Sequence, residues 1–139
     1  MNEIAIAAPA LDAIRAHAAS TYPNECCGAL IGGLVDSRTS VVETRPLDNT
    51  TAEGPRRRFV VSPADYRAAE RYAAELGAEL VGFYHSHPDH PAQPSQYDLE
   101  HAWPNLSYVI VAVANAEPGE VRSWRLLADR SSFEEETRL

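Results

Sequence analysis

The sequence is poor in cysteine, in positive charge and in long apolar runs, and each shortage argues against a class of protein. Its two cysteines, Cys26 and Cys27, are adjacent. Adjacent cysteines rarely pair, so a fold stapled by disulfides is not expected. Twelve Lys and Arg against twenty Asp and Glu give a formal net charge of -8, which argues against nucleic acid or an anionic membrane as a partner. No apolar run approaches the roughly 18 residues of a membrane-spanning helix.

The amino terminus also lacks the pattern of a secretory signal. Glu3 stands where a signal peptide carries basic residues, and Asp12 and Arg15 interrupt the apolar stretch that follows. We therefore expect a cytoplasmic protein. A length of 139 residues suits one domain over residues 1–139, large enough to bury a core without disulfide or metal staples. The oligomeric state is left open, a homodimer included.

Apolar periodicity and turn residues predict three helices and six short strands. The predicted helices cover residues 9–21, 62–77 and 95–103. The predicted strands cover residues 26–31, 38–45, 58–61, 80–84, 107–114 and 121–127. Gly32 and Gly33 are expected to close the first strand, and residues 46–55 are expected to form a loop.

The remaining segment is an acidic end, with Glu134, Glu135 and Glu136 in a row, and we expect a solvated tail over about residues 130–139. Helices and strands alternate along the chain, but without a strict βαβ rhythm. This order predicts a mixed α/β fold of the α+β type, in which helices sandwich one central sheet.

Two histidines follow the predicted strand at 80–84 and offer a metal site. His85 and His87 are two residues apart, so both imidazoles leave an extended chain on the same side. Asp98, in the first turn of the next predicted helix, is a candidate third ligand, and three protein ligands leave a fourth position for water, as in catalytic zinc sites. The spacing alone does not exclude that His85 and His87 are an ordinary histidine pair on the surface or in the core, without a metal. It also leaves His90 and His101 as alternative ligands.

Ser95 and Asp98, taken by themselves, indicate a capping box at the start of a helix. Together with the two histidines they complete the pattern His-x-His-x7-Ser-x2-Asp, beginning at His85. This pattern resembles the signature of the JAMM (MPN+) metallopeptidases. The resemblance covers about residues 23–127, and the size of the chain is that of a short, stand-alone prokaryotic member.

The resemblance implies one zinc ion, with a bound water, held by His85, His87 and Asp98. It also implies that Glu25, which matches the upstream glutamate of the family, acts as general base and that Ser95 stabilises the oxyanion. Without the resemblance, Glu25 cannot be distinguished from the other acids, and an ordinary exposed acid before a strand would be the simpler interpretation. The implied mechanism needs no covalent intermediate, so the adjacent cysteines are expected to be apolar filling.

The resemblance further implies hydrolysis after the C-terminal Gly-Gly tail of a ubiquitin-like protein, and short prokaryotic members favour small sulfur-carrier proteins as substrates. The cluster of Arg56, Arg57 and Arg58 offers a contact for an acidic carrier, although a solvated segment at the start of a strand explains it equally well. Two other functions stay open. One is a metal-dependent hydrolase of small amides or peptides, and the other is a non-catalytic MPN interaction module.

Overall fold

The structure, a computed structural model, describes residues 2–47 and 61–139. Within these ranges the chain forms seven strands and three helices. Their order is β1 (Glu3–Ile6), α1 (Ala8–Thr21), β2 (Cys27–Val35), β3 (Arg38–Leu47), α2 (Pro63–Glu75), β4 (Glu79–Pro88), α3 (Gln96–His101), β5 (Ser107–Ala114), β6 (Glu117–Leu126) and β7 (Phe133–Arg138).

The strands form one mixed sheet in the order β1-β3-β2-β4-β5-β6-β7, and β1 pairs with β7 to close it into a barrel. The central strand β4 is antiparallel to β2 and parallel to β5. The predicted α+β class with a mixed sheet is therefore confirmed. The closure depends on β1 and β7, two strands that the sequence pattern did not predict.

Apolar side chains pack on both faces of the sheet, each face under one long helix. Ala18 of α1 belongs to one buried cluster with Tyr84, whereas Ala73 of α2 belongs to a second cluster with Phe83. Phe83 and Tyr84 enter opposite clusters because successive side chains of a strand point to opposite faces. Burial on both faces explains the continuous apolar run of β4. The packing on both sides also fixes the position of this strand, which carries the two histidines near its end.

The residues predicted to begin and end the second helix have those roles in α2. Ser62 caps α2 by accepting a hydrogen bond from the Asp65 main-chain N–H at 3.1 Å, and Pro63 occupies the first turn. Gly77 follows α2 with a φ of 70°, a left-handed conformation that glycine adopts without strain. Among the described residues, no helix combines the length and apolarity needed to cross a membrane.

The predicted end of the first strand was wrong. β2 continues through Gly32 and Gly33 to Val35, with a register shift at Gly32. A Cβ at Gly32 would collide with the main chain of Ser40 in β3, so this glycine permits a close approach of two strands where a turn was predicted. The predicted start of the loop at 46–55 was also wrong, because β3 continues through Leu47.

Three further predictions concern residues 48–60 in whole or in part. The rest of the predicted loop, most of the predicted strand at 58–61 and the cluster Arg56 to Arg58 lie outside the described residues. Val61, the last residue of that predicted strand, is buried but belongs to no strand.

The prediction of a solvated acidic tail was wrong as well. Residues 133–138 form β7, and Glu136 is only 2% exposed, although Glu134 and Glu135 are exposed. The Glu136 carboxylate accepts hydrogen bonds from the Ser123 hydroxyl at 2.7 Å and from Arg125 Nε at 3.2 Å. A buried carboxylate is tolerated when it is paired and hydrogen-bonded. The acidic run therefore ends in a buried ion pair between β6 and β7.

Replacing Glu136 by alanine should lower the free energy of unfolding by about 3 kcal/mol, because the Arg125 guanidinium loses its partner in a largely buried site. Urea unfolding of the purified variant measures the change. Glu134→Ala is the matched control, and its exposed position predicts a change within about 0.5 kcal/mol. Equal effects of the two substitutions would contradict the structural role of Glu136.

Candidate metal and catalytic site

The pairing of β2 with β4 places three chemically active side chains at the same end of the sheet. Cys27, the first residue of β2, pairs with His85, and Glu25 lies two residues before it. His85 and His87 share one face of β4, because alternate residues of a strand do, and a Glu25 carboxylate oxygen lies within 4.8 Å of a ring nitrogen of each. Glu25 is 7% exposed, His85 1% and His87 7%. A single strand pairing thus gathers residues 60 positions apart in the sequence.

The helix α3 brings the Asp98 carboxylate to the two histidines. Its Oδ2 atom lies 3.3 Å from His85 Nε2 and 3.2 Å from His87 Nε2, and the two Nε2 atoms are 3.1 Å apart. Zinc binds nitrogen and oxygen ligands at about 2.0–2.1 Å, so the corners of its tetrahedron lie about 3.3 Å apart. The three atoms therefore have the spacing of three corners of a zinc tetrahedron.

The hydrogen bonds around His87 show why a cation fits among these atoms. His87 Nδ1 lies 2.9 Å from the Pro91 carbonyl oxygen, which can only accept, so Nδ1 carries the proton and donates. In the neutral imidazole, Nε2 then presents a lone pair to the Asp98 carboxylate, which is also an acceptor. Two acceptors at 3.2 Å repel each other unless a proton or a metal ion lies between them. Such a carbonyl bond to the far nitrogen is typical of metal-binding histidines.

Asp98 is held in place by the start of α3. The Ser95 hydroxyl accepts a hydrogen bond from the Asp98 main-chain N–H at 3.0 Å, and the Ser95 main-chain N–H donates to Asp98 Oδ2 at 2.9 Å. This is a capping box, as the sequence indicated. The same oxygen atom faces both histidines, so the cap also aims the carboxylate at the candidate metal site.

The pKa shifts leave two of the three candidate ligands, His85 and Asp98, in the form that binds a metal ion, whereas the raised pKa of His87 opposes binding. Burial lowers the pKa of His85, against the opposing attraction of Asp98. Burial also opposes the charged form of His87, but the hydrogen bond and charge of Asp98 outweigh it and raise the His87 pKa. Burial would raise the pKa of Asp98, yet the neighbouring His85 and His87 hold it well below its usual range. A neutral His85 and an ionised Asp98 are the forms that coordinate metal ions.

Glu25 forms a second, wider group with the histidines. One carboxylate oxygen of Glu25 and one nitrogen each of His85 and His87 lie within 4.8 Å of one another. The Asp98 distances of 3.3 and 3.2 Å match the edges of a zinc tetrahedron, so Asp98 is the third candidate ligand, and Glu25 lies beside the three ligand atoms. Glu25 is thereby within reach of a molecule held at the three ligand atoms.

An open groove of about 480 Å³ leads to these residues. Its volume is in the range of ligand-binding clefts. The lining residues are Glu25, His87, His90, Pro91, Gln93, Pro94 and Ser95. On the far side, His85 and Asp98 border aromatic and apolar side chains, among them Trp103, Tyr108 and Phe133. The candidate site thus opens into a groove at Glu25 and Ser95 and borders a largely apolar cavity at His85 and Asp98.

The two competing histidines are exposed, unlike the buried His85 and His87. His90 is exposed on the rim of the groove. His101 is exposed at the end of α3, where its Nδ1 donates to the Tyr97 carbonyl at 2.9 Å and its ring stacks on Tyr97. The Pro91 carbonyl, which orients His87, was not among the predicted site residues. No sequence signal identifies it, because any residue type provides a main-chain carbonyl.

Comparisons with known proteins identify relatives of this chain. A family model described as prokaryotic homologs of the JAB domain matches residues 7–127. The Desampylase of Haloferax volcanii is 38% identical over 114 residues, which are 78% of this chain and 80% of that protein. The CysO-cysteine peptidase of Mycobacterium tuberculosis is 29% identical over 125 residues, 89% of this chain and 83% of that protein.

The Tail tip assembly protein K of Escherichia phage N15 is 43% identical over 88 residues, which are 63% of this chain. The match spans only 32% of the phage protein, so the chain corresponds to a part of that relative.

Solved structures share the whole fold. A solution structure of a protein from Desulfitobacterium hafniense superposes with a TM-score of 0.84 at 30% identity, covering 98% of this chain and 91% of the other. A JAB1/MPN domain protein from Archaeoglobus fulgidus gives a TM-score of 0.57 at 18% identity, covering 99% and 97%, which is a likeness of fold alone. The chain therefore belongs to the prokaryotic JAB-domain family, as a short member of the JAMM/MPN proteins that its motif resembles.

Proposed function

We propose that this protein is a zinc-dependent peptidase that cleaves the peptide or isopeptide bond after the C-terminal Gly-Gly tail of a ubiquitin-like protein. The convergence of His85 Nε2, His87 Nε2 and Asp98 Oδ2 at 3.1–3.3 Å carries this proposal. A non-catalytic scaffold does not need two imidazole nitrogens and a carboxylate oxygen packed together at these distances. The geometry thus favours an enzyme over a non-catalytic interaction module.

The substrate class rests on the relatives and on the family resemblance. One relative is named a desampylase and another a CysO-cysteine peptidase. Both match about four fifths of their own length to this chain. We infer a substrate of the ubiquitin-like sulfur-carrier kind, in which the tail enters the groove that Glu25 and Ser95 line.

The proposed reaction divides the chemistry among a few groups. Zinc, when bound by His85, His87 and Asp98, supplies Lewis acidity, which lowers the pKa of a water ligand to about 7. The Glu25 carboxylate takes the proton from the attacking water and returns it to the leaving amine. The Ser95 hydroxyl donates a hydrogen bond to the oxygen of the scissile carbonyl as negative charge develops there.

The direct test is incubation of the purified protein with carriers ending in Gly-Gly and extended by a cysteine or joined to a lysine. Intact-mass spectrometry should show release of the group beyond the second glycine. The matched control is the same carrier with both terminal glycines replaced by alanine, which should resist cleavage. Cleavage of short peptides without the carrier would favour the small-amide hydrolase instead. No cleavage of any substrate by zinc-loaded protein would favour the interaction module.

Ser95 is predicted to combine a structural and a catalytic role. Its hydroxyl oxygen accepts the cap bond from Asp98 while its O–H hydrogen stays available to donate. Ser95→Ala should therefore lower stability by about 1 kcal/mol through loss of the cap. It should also lower turnover by roughly 10²-fold through loss of the oxyanion donor.

The two roles of Ser95 are separated by measuring turnover per folded, zinc-loaded molecule. A loss of 1 kcal/mol leaves a domain of ordinary stability almost fully folded, so the cap alone cannot explain a collapse of turnover. Ser62→Ala, which removes the comparable cap of α2, is the matched control and should leave turnover unchanged. An unchanged turnover in Ser95→Ala would reduce Ser95 to a capping residue.

A further inference from the structure

The serine between the two candidate metal ligands makes an unusual pair of hydrogen bonds with the segment that carries Glu25. The Ser86 main-chain N–H donates to the Cys26 carbonyl at 3.2 Å, and the Cys26 N–H donates to the Ser86 hydroxyl oxygen at 2.9 Å. A regular antiparallel pair would use two main-chain carbonyls. Here the second acceptor is a side chain. Ser86 is fully buried, and Cys26 is 2% exposed.

This pair lies next to the first residue of β2, at the point where the chain enters the sheet. The ladder between β2 and β4 starts at Cys27, and Glu25 is outside the strand. On the amino-terminal side, the Asn24 N–H donates to the Thr21 carbonyl within the turn after α1. Cys26, the neighbour of Glu25, is hydrogen-bonded to Ser86 of β4.

Ser86 is not placed to act on a substrate or a metal ion. Its side chain points to the face opposite to His85 and His87, because neighbouring residues of a strand alternate. It lies there on the same side as Tyr84, which belongs to the cluster under α1. Any effect of the Ser86 hydroxyl on the reaction must therefore act through the main chain of Cys26 and the adjacent Glu25.

We propose that Ser86 is a positioning residue, whose hydroxyl fixes the Glu25 carboxylate relative to His85 and His87. The inference rests on the proposed role of Glu25 as general base. A base must lie within hydrogen-bond reach of the proton it takes, and a misplacement of about 1 Å is enough to lower a rate by roughly 10²-fold. Loss of the bond to the Cys26 N–H frees the residue next to Glu25 and leaves the histidines on their strand.

A double-mutant cycle tests this role, with wild type, Ser86→Ala, Glu25→Gln and the double variant. We expect Ser86→Ala to keep its zinc and its KM while kcat falls about 10- to 100-fold. In the Glu25→Gln background, Ser86→Ala should cause no further fall, because the group that it positions is already absent. Ser86→Thr, which retains a hydroxyl, should recover part of the loss. Ser123→Ala, a change of another buried serine, is the matched control and should keep kcat.

A spectroscopic form of the same cycle needs no substrate. In cobalt-loaded protein, Ser86→Ala should alter the visible absorption bands in the wild-type background but not in the Glu25→Gln background. Additive effects, loss of metal in Ser86→Ala or an unchanged kcat would each overturn the proposal. If Ser86→Ala does not fold, Ser86→Cys replaces it, since a thiol is a weak acceptor of similar size. If the wild type cleaves no carrier, the proposed substrate fails while the cobalt cycle still decides the role of Ser86.

Discussion

Purified protein should contain about one zinc ion per chain, and His85→Ala and Asp98→Ala should each lose it together with all activity. Each variant removes one of three ligand atoms that lie 3.1–3.3 Å apart. Two ligands cannot fix a tetrahedral ion, and in His85→Ala the buried Asp98 carboxylate also loses a neighbouring imidazole. Elemental analysis of gel-filtered protein measures the zinc content directly.

The exposed histidines provide matched controls for this prediction. His90→Ala and His101→Ala remove the same side chain close to the site, and both should retain zinc. Thermal unfolding gives a second readout, because a ligand that binds only the folded state stabilises it by about 2.7 kcal/mol at a free concentration of 100 Kd. Added zinc should raise the Tm of wild type and of both controls. Full zinc content in a His85→Ala, Asp98→Ala double variant would transfer the ligand role to His90 or His101.

Glu25→Gln should retain zinc and fold but lose turnover by about 10²-fold or more, the usual contribution of a general base. Glutamine has the same size and keeps one oxygen, but its amide cannot take a proton from water. A carboxylate oxygen of Glu25 lies within 4.8 Å of a ring nitrogen of each histidine, and the proposal assigns the three ligand positions to His85, His87 and Asp98. Turnover at saturating substrate, corrected for zinc content, measures the loss.

Glu100→Gln is the matched control for Glu25→Gln. Glu100 is an exposed glutamate on α3, so the same chemical change there should leave turnover unchanged. Loss of zinc in Glu25→Gln would instead make Glu25 a ligand, in line with the wider group that it forms with the two histidines. Near-normal turnover with intact zinc would assign the base to another group.

The sequence was most informative where function depends on short spacing. His85 and His87 share a face because a strand has a period of two residues, and Ser95 and Asp98 face each other because they begin a helix. Both arrangements are local, so the spacing predicted them before any fold was known. The structure brings these residues together, and the assignment of zinc to them remains a prediction.

The sequence was least informative where a residue depends on a distant partner. Glu25 was identified only through the family resemblance, since its closeness to His87 depends on how the segment before β2 lies against β4. Glu136 was misjudged for a similar reason, because its partner Arg125 belongs to a neighbouring strand. A run of acidic residues is usually exposed to solvent, but here the ion pair with Arg125 allows Glu136 to be buried.

By itself, the sequence determined the α+β class, helices α1 and α2, the capping box before α3 and the strand that ends in His85 and His87. These features follow from periodicity, capping residues and apolar runs, which act over a few neighbouring residues. Only the tertiary structure decided the closure of the sheet through β1 and β7, the passage of β2 through Gly32, and the position of Glu25 and Ser86 around the candidate metal site. Each of these depends on which strands pair and in which register, and pairing energy is shared between residues far apart in the chain.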